Sequence, residues 1–100
     1  MKYRIKLTIL AKFDFKRIVD YIEKGLYAPV AAENFSRGLF AKLFSLEKYA
    51  HIYAVSTYKE VLVFGEFARS INYKGFAIVY TIHNDLVIVH RIIHGSLVKE

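Results

Sequence analysis

Six side chains in the second half of the chain are equipped for chemistry: Arg69, Tyr73, Lys74, His90, Arg91 and His94. Histidine titrates near neutral pH, so His90 and His94 could act as an acid and a base. They could also bind a metal ion, but the spacing argues against it. Four residues along an extended strand span about 13 Å, too far for one ion unless the strand bends. No metal and no cofactor are expected. The plainer reading makes His90 a packed residue and His94 a hydrogen-bonding group at a strand end. Arg91 lies among apolar neighbours, where a bare charge is costly. It must reach solvent, face an anion on a partner, or pair with a carboxylate such as Asp14, Asp20 or Glu66. Arg69 also interrupts an apolar strand. On an uncovered sheet face it would be free to contact an acidic partner. The chain has no cysteine, which excludes disulfides, thiolate metal sites and cysteine nucleophiles.

These side chains need elements to position them. Residues 2–10 alternate, with Tyr3, Ile5, Leu7 and Ile9 on one face and Lys2, Arg4, Lys6 and Thr8 on the other. That pattern predicts a half-buried strand with one basic face. Residues 11–24 change to helical period through Phe15, Ile18, Val19 and Ile22, and Gly25 is placed to end that helix in a left-handed conformation. Pro29 suits the first turn of a second helix. Its stripe is Ala32, Phe35, Leu39, Leu43 and Leu46. Phe40 and Phe44 widen the stripe and are expected in the core, the alternative being apolar surface that awaits a partner.

Residues 49–60 read as a connection, and Val61–Phe64 as a short strand. Three strands then follow: Phe67–Asn72, Phe76–His83 and Leu86–Ile93, with turns at Tyr73-Lys74-Gly75 and Asn84-Asp85. The last has two apolar faces and should lie centrally in the sheet. Strict alternation puts His90 and His94 on one of its faces and Arg91 on the other. The fold class is therefore α+β over residues 1–100 as one domain: an N-terminal strand, a two-helix antiparallel hairpin, then a three-stranded antiparallel meander, forming one sheet. The helices should cover one face of an antiparallel sheet and leave the other partly open.

Bulk properties agree. Hydrophobic residues make up 55% and aromatics 16% of 100 residues, enough for a modest core. No apolar run reaches the roughly 18 residues of a membrane helix. Lys6 and Lys12 interrupt the only signal-like stretch, so the start reads as mature protein in the cytoplasm. The net charge is +6, and +5 of it falls in residues 1–50. Such a half attracts an acidic partner, whether nucleic acid, ribosome or protein, unless the charge serves only solubility.

Four stretches resemble one family. Asp14-Phe15-x-x-Ile18-Val19-x-Tyr21-Ile22 and Ala31-Ala32-x-x-Phe35-x-x-x-Leu39 look like the two helices of the RelE/ParE toxins of type II toxin–antitoxin systems. Arg69 with Phe76-Ala77-Ile78-Val79-Tyr80 resembles the middle strands. Val87-Ile88-Val89-x-Arg91-Ile92-Ile93-His94-Gly95 resembles the last. The resemblance implies an intracellular growth-inhibiting toxin, of the kind linked to plasmid stabilisation, neutralised by a cognate antitoxin in a hetero-oligomer.

It also implies one of two modes of action. RelE-like members cleave mRNA on the ribosome without a metal, which requires a base, an acid and cations to stabilise phosphorane charge. ParE-like members are associated with DNA gyrase and have no hydrolytic chemistry. Two positions depart from the nuclease pattern, with Ala77 and Ser96 where the nuclease branch commonly has arginine. The reading is therefore a ParE-like toxin that binds rather than catalyses. Arg4, Lys6, Arg69, Tyr73, Lys74, Arg91 and His94 are its candidate contacts for target or antitoxin. The alternatives are a RelE-like endonuclease using Arg69, Arg91 and His94, and a degenerate member that serves only as a binding or operon-regulating partner.

Overall fold

The computed structural model describes residues 2–98. Strand β1 (Arg4–Leu7) leads into α1 (Ile9–Asp20), which widens into a π-helical turn over Tyr21–Gly25. Helix α2 (Pro29–Tyr49) returns along α1. A 3₁₀ turn and a short helix, α3 (Lys59–Leu62), precede β2 (Arg69–Tyr73), β3 (Phe76–His83) and β4 (Leu86–His94). The sheet order is β1-β4-β3-β2, so β4 is central, as its two apolar faces require.

The alternation of residues 2–10 breaks off early because Thr8 caps α1. Its hydroxyl accepts the Ala11 N–H at 3.1 Å and donates to the His90 carbonyl at 2.9 Å. Pro29 stands in the first turn of α2, and all five residues of the Ala32–Leu46 stripe are buried. Phe35, Leu39, Leu43 and Leu46 share one core with Ile78, Tyr80, Val87, Val89 and Ile92 of the sheet.

The β2–β3 hairpin turns on Lys74 and Gly75, with φ of 45° and 87°, and the β3–β4 hairpin turns at Asn84, with φ of 56°. These are the left-handed conformations that two-residue hairpin loops need. Strand β2 starts two residues later than its apolar run suggests, leaving Phe67 exposed, and β4 runs on to His94.

Several expectations are corrected. Val61–Phe64 is not a strand; it completes α3 and the turn after it. Gly25 does not hold the left-handed position, which falls on Tyr27 at φ 52°. A Cβ at Gly25 would lie 2.8 Å from the Tyr21 ring, so this glycine serves a close approach instead. The sheet is antiparallel only over β2, β3 and β4. Strand β1 pairs parallel with β4, Arg4 beside Leu86 through Leu7 beside Val89. Two long helices give the chain enough length to cross over and return in the same direction. The second sheet face carries its own small core, where Val61 and Val98 pack on Ala68, Ala77 and Val79.

Candidate functional site

Strand β4 does not keep strict alternation. Val79 faces Arg91 while Tyr80 faces Val89, so His90 is the extra residue of a β-bulge. Below the bulge Val87 and Val89 face the helices, and above it Ile92 does. The expected placement of His90 and His94 on one face, with Arg91 opposite, is therefore overturned.

The bulge aims Arg91 at α1. Its guanidinium grips Asp14 with two hydrogen bonds, Nε to Oδ2 at 2.7 Å and Nη2 to Oδ1 at 3.0 Å. Arg17 adds a bond to Oδ1 at 2.6 Å, and the Ile92 N–H donates to Oδ2 at 2.9 Å. Asp14 is 1% exposed. Strand β1 stops at Leu7, so the edge of β4 beyond Val89 has no strand beside it. Thr8 and then Asp14 take over that role. The hydrogen bonds to Asp14 raise the Arg91 pKa above its ordinary range, against the opposing effect of burial. This is the structural pairing with Asp14, rather than Asp20 or Glu66.

Arg69 stands beside Tyr80 on the helix-covered side, not on the uncovered face. Its Nη1 donates to the carbonyls of Tyr53, His51 and Ala50 at 2.8, 2.9 and 3.4 Å. The buried Tyr80 hydroxyl donates to the Ala50 carbonyl at 2.7 Å. Together they hold the carbonyls of the 3₁₀ turn that follows α2, at the end where the helix dipole favours a cation. Burial pushes the Tyr80 phenol well above its usual pKa.

The remaining candidates are dispersed. His94 pairs with Phe76 and Arg69 with Tyr80, four residues apart on β3, or about 13 Å along the strand. His94 is exposed, with Nδ1 2.8 Å from Ser96 Oγ. His90 packs against Phe64 and lies 2.8 Å from the Thr81 hydroxyl, whose other neighbour at 2.7 Å is His83. Burial, then the nearby His83, lowers the His90 pKa from 6.5. Tyr73 meets Phe35 edge-on, and the Lys74 ammonium lies 5.7 Å from the Tyr73 ring centre. Arg4 pairs with Asp85 at the surface, and Lys6 is exposed beside it on β1. Among the described residues no three His, Cys, Asp or Glu side chains converge to hold a metal ion.

The feature that sequence reasoning weighed wrongly is a groove. Phe40 and Phe44 are not core: they are 54% and 48% exposed and pack edge-to-face at 4.6 Å. With Ile5 and Leu7 of β1 and Phe15 and Val19 of α1 they line a cleft of about 650 Å³, with Lys12 and Lys16 also among its lining residues. Strand β1 is the outermost strand, so its far edge adjoins the same region. The signal was present: Phe40 and Phe44 are four residues apart and off the Ala32–Leu46 stripe. The groove offers an apolar floor, nearby lysines and a free strand edge, which suit a peptide segment better than a small reacting substrate.

The comparisons with known proteins agree with this architecture. The family described as "ParE toxin of type II toxin-antitoxin system, parDE" matches over residues 5–97. A chain of the solved structure "Chromosomal ParDE TA system from P. aeruginosa" superposes with a TM-score of 0.73. It is 18% identical, and the match covers 93% of this chain and 96% of that one. At that identity the likeness speaks for the fold. No curated protein matches in sequence.

Proposed function

The chain belongs to the ParE toxin family of type II toxin–antitoxin systems, and we propose that it arrests growth by binding a cytoplasmic protein target, DNA gyrase, rather than by cutting RNA. The observation that carries this reading is the use made of the arginines. Arg91 is neutralised by buried Asp14, and Arg69 is bound to backbone carbonyls. Neither is left to stabilise charge on a phosphate, and His94 is remote from Arg69. A metal-free ribonuclease needs those groups close together around one phosphate.

The groove between α1, α2 and β1 is assigned to the antitoxin. An acidic amphipathic segment would set apolar side chains over Phe40 and Phe44 and a carboxylate over Lys12, Lys16 being paired with Asp20 at 3.0 Å, and could add a strand to β1. The toxin and antitoxin then form a hetero-oligomer in which growth arrest is silent.

The test is expression of the chain without its antitoxin, with DNA and protein synthesis followed by isotope incorporation. DNA synthesis should fall first, and purified chain should inhibit gyrase supercoiling. Immediate loss of translation with positioned mRNA cuts would instead favour the nuclease reading.

A further inference from the structure

Two turns meet at one end of the molecule, the α1–α2 connection and the β2–β3 hairpin, and unusual features gather there. Of the three non-glycine residues with positive φ among the described residues, Tyr27 and Lys74 both lie in these turns. A tyrosine in left-handed backbone is uncommon and strained. Such strain collects where a ligand is gripped, and the π-helical turn just before it is likewise frequent at functional sites. Tyr27 is 89% exposed, and Tyr21, Leu26 and Val30 are exposed around it. Between the turns opens a cleft of about 530 Å³. Its walls include Ile18, Leu26 and Phe76, its cations are Lys74 and Arg17, the second also bonded to Asp14, and among the described residues no carboxylate lines it.

We propose that this end is a second protein-docking face, which receives an acidic segment carrying an apolar anchor. The assignment rests on the toxin reading above and gives this face to the cellular target, leaving the lysine-lined groove to the antitoxin. Charge decides against a second copy of the chain, whose net charge of +6 would be brought against Arg17 and Lys74. It also decides against duplex DNA, which is held by neutralising many phosphates rather than by two cations around an apolar cleft.

Growth arrest in host cells, read as the inducer dose for half-maximal arrest, tests the face with Tyr27→Gly and Lys74→Glu. Lys59→Glu on α3 is the matched charge control. Glycine adopts the φ of residue 27 without strain, so Tyr27→Gly should melt no lower than wild type. Its loss of activity could not then be misfolding. The first two variants should need a dose at least about ten-fold higher, as expected for loss of an interface anchor, and the control should not shift. Unchanged arrest by both variants, against a toxic wild type, overturns the docking face and leaves the toxin reading intact. A wild type that arrests nothing removes both. Two further results would overturn the protein partner: a wild-type dimer, seen by light scattering, that Tyr27→Gly disperses, or binding of a 20-base-pair duplex that Lys74→Glu abolishes.

Discussion

Two arginine–carboxylate pairs involve opposite parts of β4, and they differ in everything except chemistry. Arg4 and Asp85 meet at 3.3 Å beside the β3–β4 turn, with both side chains largely in solvent. Arg91 and Asp14 meet at 2.7 Å under α1, with Asp14 almost fully enclosed. The surface pair trades water for a partner and gains little. In the second pair the Asp14 carboxylate is cut off from water, while Arg91 stays partly exposed. Asp14 also satisfies a backbone N–H of β4 and a second arginine, so four donor bonds depend on one carboxylate. An ion pair matters here because of what else its burial commits.

The sharpest way to break the contrast is Asp14→Ala. It leaves the Ile92 N–H unpaired and Arg91 without its anion, and should cost about 3 kcal/mol in urea unfolding. A cost near zero would show that water replaces the carboxylate. Replacing both partners with apolar residues, Asp14→Leu with Arg91→Met, should cost less than Asp14→Ala alone, because no charge is then stranded.

Arg69→Ala sits between the extremes. It removes charged hydrogen bonds to the turn after α2 and should cost about 2 kcal/mol. Amide exchange should quicken around 50–53 rather than along the whole sheet.

A smaller effect belongs to His90. Burial and His83 depress its folded pKa below 6.5, so the unfolded chain binds the proton more tightly. Stability from this group is complete above pH 6.5 and is lost as pH falls through the depressed folded value. His90→Gln should flatten that part of the stability–pH curve, and an unchanged slope would assign it to another group.

The least effect is expected for Arg4→Ala. The guanidinium holds Asp85 below its ordinary 3.8, so the pair stabilises above that pH and fades as pH drops through the lowered value. Exposure and salt screen it, and the urea midpoint at neutral pH should not move measurably.

Much of this was legible in the residues. The Ala32–Leu46 stripe, Pro29 and the hairpin at Asn84 follow from periods and backbone preferences that neighbouring residues carry themselves. Asp14 could be named among the partners for Arg91, because a charge amid apolar strand residues needs a carboxylate. Its choice over Asp20 and Glu66 could not be read.

The candidate site was less legible for the same reason. Phe40 and Phe44 have the hydrophobicity of core residues, and only the place where α1 crosses α2 leaves them open to solvent. The bulge at His90, the re-aimed Arg91 and the parallel entry of β1 all arise between segments far apart in the chain. The sequence by itself determined the two long helices, the β2–β4 strands and their hairpin turns, because those preferences are local, while the short helix α3 escaped it. Tertiary structure alone decided which cations are held inside and which apolar side chains wait outside, because burial depends on what distant elements cover.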